Sequence, residues 1–137
     1  MRIISCLVIL LLFTGIAYAG DTAVKHKLYT ATVDNDGVQR VEIMGGEYYF
    51  EPDYIIVKKD IPVEFSIKKI SGIIPHNIVI ESPEAGINIR ESMSTTPKLL
   101  LFTPSKTGRY PIICDKKLLF FPSHREKGME GTLEVVE

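Results

Sequence analysis

Cysteine is nearly absent from this chain. Its 137 residues hold two, Cys6 and Cys114. Cys6 falls within 1–19, a segment that opens with Arg2, runs apolar from Ile3 to Ile16 and closes on Ala17-Tyr18-Ala19. A charged start, a short apolar stretch and an A-x-A close are the parts of a secretory signal peptide. The run is short of the roughly 20 residues that a membrane helix needs. The expectation is cleavage after Ala19 and export to the periplasm or an equivalent space. Residues 20–137 then form one domain, and that domain keeps Cys114 alone. A disulfide framework is excluded, because one cysteine cannot build it. In an oxidising compartment a lone thiol is buried and inert, paired with another chain, or held by a metal.

Charge of one sign is lacking too. Sixteen Lys and Arg stand against seventeen Asp and Glu, a formal net charge of −1. Such a balance predicts no nucleic-acid partner and no polybasic attachment to membranes. The expected state after cleavage is a monomer with no stable membrane insertion. No internal repeat, low-complexity tract or capped helical period is present either. What remains is the alternation of short strands. "KLYTATVD" and "VQRVEIMG" flank the turn cluster Asp34 to Gly37, which predicts a hairpin because Asp-Gly supplies positive φ. One strand ends near Lys58 and another spans Val63 to Ile70. "HNIVIES" is a further strand, "PKLLLFTPSKTGRYPIICD" holds two, and "GTLEVVE" closes the chain. "SPEAGINIRESMSTTP" reads as a helical turn or a loop. Seven to eight strands at regular spacing predict an all-β sandwich or barrel.

The chemistry gathers near the C-terminus. Tyr110, Ile112 and Cys114 alternate, so they share one face of a strand, and an inward Ile112 carries Cys114 to the interior edge. His124 and Met129 follow on one segment, and His76 opens the "HNIVI" strand. If that strand neighbours the one ending at Cys114, four donors converge: a thiolate, two imidazoles and a thioether. That set suits copper in both oxidation states, and His₂Cys with a long axial Met is the arrangement of blue electron-transfer copper. Met44, Met93 and His26 are rival donors. Met44 lies in a strand, Met93 in the irregular segment, and His26 near the start of the mature chain.

The chain resembles the cupredoxins, the type 1 copper family of small exported β-sandwich proteins. "YFEPDYIIVKKDIPVEFSI" is similar to the family's F-x-P-x-x-I-x-V-x-x-G-x-x-V-x-F stretch, "PHNIVI" to its first-histidine strand, and "TGRYPIIC…H…GMEGTLEVVE" to its terminal ligand segment. The resemblance implies a Greek-key sandwich with His76, Cys114, His124 and Met129 as ligands of one Cu(I)/Cu(II) ion. It also implies that Asn77 ties the ligand loops together by hydrogen bonds, and that one edge of His124 meets solvent. Two positions depart from the pattern. Asp60 replaces the usual turn glycine, and nine residues separate Cys114 from His124 where small carriers have two to four. That length resembles the ligand loop of copper nitrite reductases.

Inside the long spacing sit Leu118, Leu119, Phe120 and Phe121. Four exposed large apolar residues are unusual on a soluble protein, which favours their folding back to cover the site. A partner-docking patch is the other reading. Lys116 and Lys117 beside them read as a solvated edge. The function implied is electron transfer between a redox donor and an acceptor protein, without substrate turnover. The alternatives are a Cu(I)-binding protein for resistance or delivery, and a metal-free thiol sandwich.

Overall fold

The structure, a computed structural model, describes residues 26–137. The expected signal peptide lies outside the described residues. Among the described residues there are ten strands: β1 Leu28–Thr30, β2 Gln39–Gly45, β3 Phe50–Glu51, β4 Tyr54–Lys58, β5 Val63–Lys69, β6 His76–Ser82, β7 Ile87–Met93, β8 Lys98–Phe102, β9 Gly108–Ile113 and β10 Glu130–Val136. They form two sheets, one ordered β1-β4-β10-β9-β6-β7 and the other β3-β2-β5-β8. The expected all-β sandwich is what forms. The count exceeds seven to eight because β1 and β3 are fragments of three and two residues, too short to show a period.

Alternation along the strands builds the core. Val41 and Ile43 of β2, Val63, Phe65 and Ile67 of β5, and Ile55 and Val57 of β4 are all buried, while their neighbours are more exposed. Phe65 meets Phe102 edge-to-face at 5.0 Å. Gln39 is fully buried on the same face, and its amide is satisfied: it donates to Lys58 O at 3.0 Å and accepts from Lys58 N at 2.7 Å. β6 breaks the alternation, with His76 to Ile80 buried in succession. It runs between β7 and β9, so both its edges are paired.

Two expectations need correction. The hairpin across Asp34–Gly37 closes only through the single bridge Val33–Gln39. β1 pairs parallel with β4 and β2 parallel with β5, in opposite sheets. The turn chemistry is read correctly, but the chain changes sheets there; Ala31 N donates to Ile56 O at 2.9 Å. The segment from Ser82 is mostly strand: a 3-10 turn at Pro83–Ala85 ends on Gly86 at φ 73°, and β7 follows, paired antiparallel with β6. Asp60, at φ 60°, occupies the left-handed conformation that explains a glycine there in similar sequences.

Candidate metal centre

Three strand ends and one turn bring the donors together. His76 is the first residue of β6, and Cys114 follows the last residue of β9. Val79 of β6 registers with Ile113 of β9, so the two ends meet at one edge of the sandwich. Met129 immediately precedes β10, which pairs with β9 along its length. His124 lies in a turn closed by Lys127 N to Ser123 O at 3.1 Å and Gly128 N to Arg125 O at 2.8 Å. Ser123 and Glu126 cap that turn reciprocally, Ser123 N donating to Glu126 Oε2 at 2.6 Å and Glu126 N to Ser123 Oγ at 3.3 Å.

Backbone bonds then connect the three C-terminal donors. Cys114 N donates to Met129 O at 3.1 Å, Met129 N to His124 O at 2.9 Å, and His124 N to Lys116 O at 2.9 Å. The last bond matters most. It cinches the long Cys–His spacing at its base, so the chain between Lys116 and His124 stands off as an excursion. The insert adds length without separating the ligands.

The donor atoms are close. His76 Nδ1 and His124 Nδ1 lie 3.1 Å apart, and Cys114 Sγ lies 3.5 Å from His124 Nδ1. Donor atoms of the three residues all fall within 4.8 Å of one another. His76, Cys114, His124 and Met129 are all buried. Burial, then the neighbouring His124 and Lys69, pushes the His76 imidazole down to about 4. Burial also lowers His124, with Lys127 adding to it, and raises the Cys114 thiol against the opposing backbone N–H groups of Asn77 and Lys116. Two neutral imidazoles aim like atoms at each other beside a buried thiol, with a thioether at the base of the same loop. That donor set fits one type 1 copper ion.

The surroundings hold it in place. Asn77 N points at Cys114 Sγ at 3.5 Å. The Asn77 side chain donates to Asp115 Oδ1 at 2.7 Å and accepts from Asp115 N at 3.2 Å, and Arg90 pairs with the other Asp115 oxygen. Three observations go beyond the sequence reading. His124 keeps only a small exposed edge, 5%, because Tyr48 packs against it at 5.0 Å and against His76 at 6.4 Å. Tyr48 sits at φ 63°, and Lys127 Nζ lies 4.4 Å over its ring. Nothing local in "GGEYYF" marks this tyrosine, since a loop of the opposite sheet delivers it.

Met93 is the second observation. It is buried on β7 and registers directly opposite His76. A Cβ on Gly45 would lie 3.0 Å from Met93 Sδ and 3.4 Å from Met129 Cε, so the bare glycine makes room for both thioethers. Met44 lines a different cleft, and His26 is exposed and bonded to Asp53 at 2.8 Å. The third observation corrects an expectation. Leu118, Leu119, Phe120 and Phe121 are 66%, 75%, 85% and 50% exposed and do not fold over the site. Tyr48 provides the cover instead.

A two-sheet β-sandwich that delivers two imidazoles, a thiol and a thioether to one edge is a cupredoxin fold with a type 1 copper donor set. Solved structures give the same fold. The metal-binding domain of the Cu(I)-exporting P-type ATPase CopA of Streptococcus pneumoniae D39 matches with a TM-score of 0.62 at 24% identity, over 82% of this chain and 99% of that one. Auracyanin A, a blue copper protein of Chloroflexus aurantiacus, matches at 0.54 and 20% identity, over 73% and 100%. The periplasmic domain of cytochrome oxidase subunit II of Bradyrhizobium japonicum matches at 0.54 and 13%, over 72% and 83%. At these identities the likeness is one of fold. No protein-family model and no curated protein sequence matches the chain.

Proposed function

We propose that this chain is an exported one-electron carrier that exchanges an electron between a donor and an acceptor protein. One observation carries the reading: the buried His76–Cys114–His124 cluster, with donor atoms within 4.8 Å, at an edge cinched by backbone bonds. Bound copper supplies a one-electron Cu(I)/Cu(II) couple at such donors. The chain's part is to keep its donors nearly fixed, so little reorganisation accompanies the change of charge. Backbone pairing fixes His76, Cys114 and Met129, the Asn77 N–H supports the sulfur, and Tyr48 packs against both imidazoles. His124 and Tyr48 both line an open cavity of about 400 Å³, which gives a partner its closest approach. That cavity is lined by lysines and apolar groups and by no carboxylate, which suits a carrier better than an enzyme. Export belongs to the proposal and rests on 1–19; an exported product with Gly20 as its first residue supports it, and a retained leader opposes it.

Voltammetry of the copper-loaded protein tests the carrier reading. A reversible one-electron wave supports it; slow, irreversible response with loss of metal on one oxidation state opposes it. Copper handling is the second reading, favoured by the second buried thioether, Met93. The matching domain of a Cu(I) exporter points the same way. Under that reading Cu(I) is bound in strong preference and passes readily to an acceptor chelator.

A further inference from the structure

The chain's balanced composition conceals one face where charge and apolar surface are sorted. Ile73 is 100% exposed, and Leu118 and Phe121 line the same cavity, with Leu119 and Phe120 exposed between them in sequence. Phe120 and Phe121 stack only on one another, at 5.3 Å, and Leu119 takes a φ of 49° within the excursion that the Lys116–His124 bond closes off. Lys116, Lys117 and Lys127 line the same cavity, Lys127 with its Nζ donating to the Tyr48 hydroxyl at 3.2 Å. None of the three is in an ion pair among the described residues. The nearby carboxylates are engaged elsewhere: Asp115 by Arg90 and Asn77, and Glu126 by Ser123, although Lys117 is close enough to help hold Glu126 ionised.

We propose that this face docks the protein on an anionic lipid surface, with the Ile73 and Leu118–Phe121 tips in the interfacial layer and the three lysines at the headgroups. The shape of the tips decides the occupant. Side chains as exposed as Ile73, Leu119 and Phe120 each require a matching pocket on a protein partner, whereas a fluid interface needs none. A second copy on the same face would bring two sets of these lysines into one interface with no cavity-lining carboxylate to pair them. Apolar groups at the acyl boundary with cations level with the headgroups is the arrangement of interfacial binding. The attachment is peripheral and reversible, distinct from insertion. It turns the side of the molecule that holds His124 toward the bilayer, where a membrane-held redox partner would meet it.

The chain contains no tryptophan, so Phe120→Trp and, separately, Ile73→Trp each give a single reporter at a tip. Tyr29→Trp, on strand β1, gives one on a strand that does not line this cavity. The probe is vesicles of phosphatidylcholine alone and with a third phosphatidylglycerol, with and without brominated acyl chains. The expected result is a blue shift and bromine quenching at positions 120 and 73, and neither at 29. A lysine near an anionic surface contributes about fivefold, so Lys116→Gln with Lys117→Gln should weaken binding to the anionic vesicles about 25-fold. Tip reporters that stay fully solvated with saturating anionic vesicles overturn the proposal. So does a shift seen only on concentrating the protein, which assigns the face to a second copy. A shift seen only on adding a soluble acidic redox protein overturns it too, in favour of a protein partner. The readout needs no copper, so it stands apart from the electron-carrier reading.

Discussion

Asn77 and Asp115 exchange hydrogen bonds across the two ligand strands, side-chain amide to carboxylate at 2.7 Å and backbone N–H to amide oxygen at 3.2 Å. Asn77 follows the ligand His76, and Asp115 follows the ligand Cys114. The pair therefore locks two donors to each other one residue away from the chemistry. Arg90 holds the far carboxylate oxygen, and these contacts keep the Asp115 carboxyl below its ordinary range, Arg90 first and Asn77 second. Asn77→Ala should cost about 1–2 kcal/mol of stability in the metal-free protein, read from urea unfolding. It should also speed copper release to a chelator, because the Cys114 end of β9 loses its tie. Unchanged release would show that the strand pairing alone holds the site.

The excursion between Lys116 and His124 is closed by one backbone bond and exposes its four apolar side chains. Replacing Leu118, Leu119, Phe120 and Phe121 with serine, one at a time, should change the stability read from urea unfolding by no more than about 0.5 kcal/mol each. The spectrum of the copper-loaded protein should be unchanged as well. Were these residues the cover of the site, the same substitutions would cost several kcal/mol and alter the spectrum.

The alternation of Tyr110, Ile112 and Cys114, the strands around them and the donor set were legible because each is a local pattern or a residue type with few uses. Ile112 and Cys114 are indeed fully buried. What the sequence did not show is set by contacts between distant segments. The burial of His124 depends on Tyr48, 76 positions earlier and on a loop of the other sheet. Met93 reads as part of an irregular segment because "INIRESM" mixes charges into a strand that faces solvent on one side. The Lys116–His124 bond that neutralises the long spacing is a backbone contact, and no side-chain pattern encodes it.

Three buried groups set the pH range of the metal-free protein. His76 is held down to about 4 from an ordinary 6.5, and His124 is lowered as well. The unfolded chain then binds more protons than the native one below about pH 6.5, so stability falls as pH drops toward 4. Cys114 is raised above its ordinary 9.0, so the unfolded chain loses its thiol proton first and stability falls again as pH rises past 9.0. Carboxylates held down, such as Glu134 by Tyr54, add their own loss only below about 4.5. Urea midpoints from pH 4 to 10 should trace a plateau between these limits. In His76→Gln the acid-side decline should shrink, and in Cys114→Ser the alkaline one should shrink, Tyr54, raised by its bond to Glu134, keeping the remainder.

The central claim is that Cys114, His76, His124 and Met129 form a type 1 copper site. The visible absorption spectrum of the Cu(II)-loaded protein, beside that of Cys114→Ser, tests it most directly. An intense visible band from sulfur-to-copper charge transfer, appearing at one copper per chain and absent in Cys114→Ser, is the predicted result. A colourless Cu(II) complex, or a spectrum and copper affinity that Cys114→Ser leaves unchanged, would contradict it.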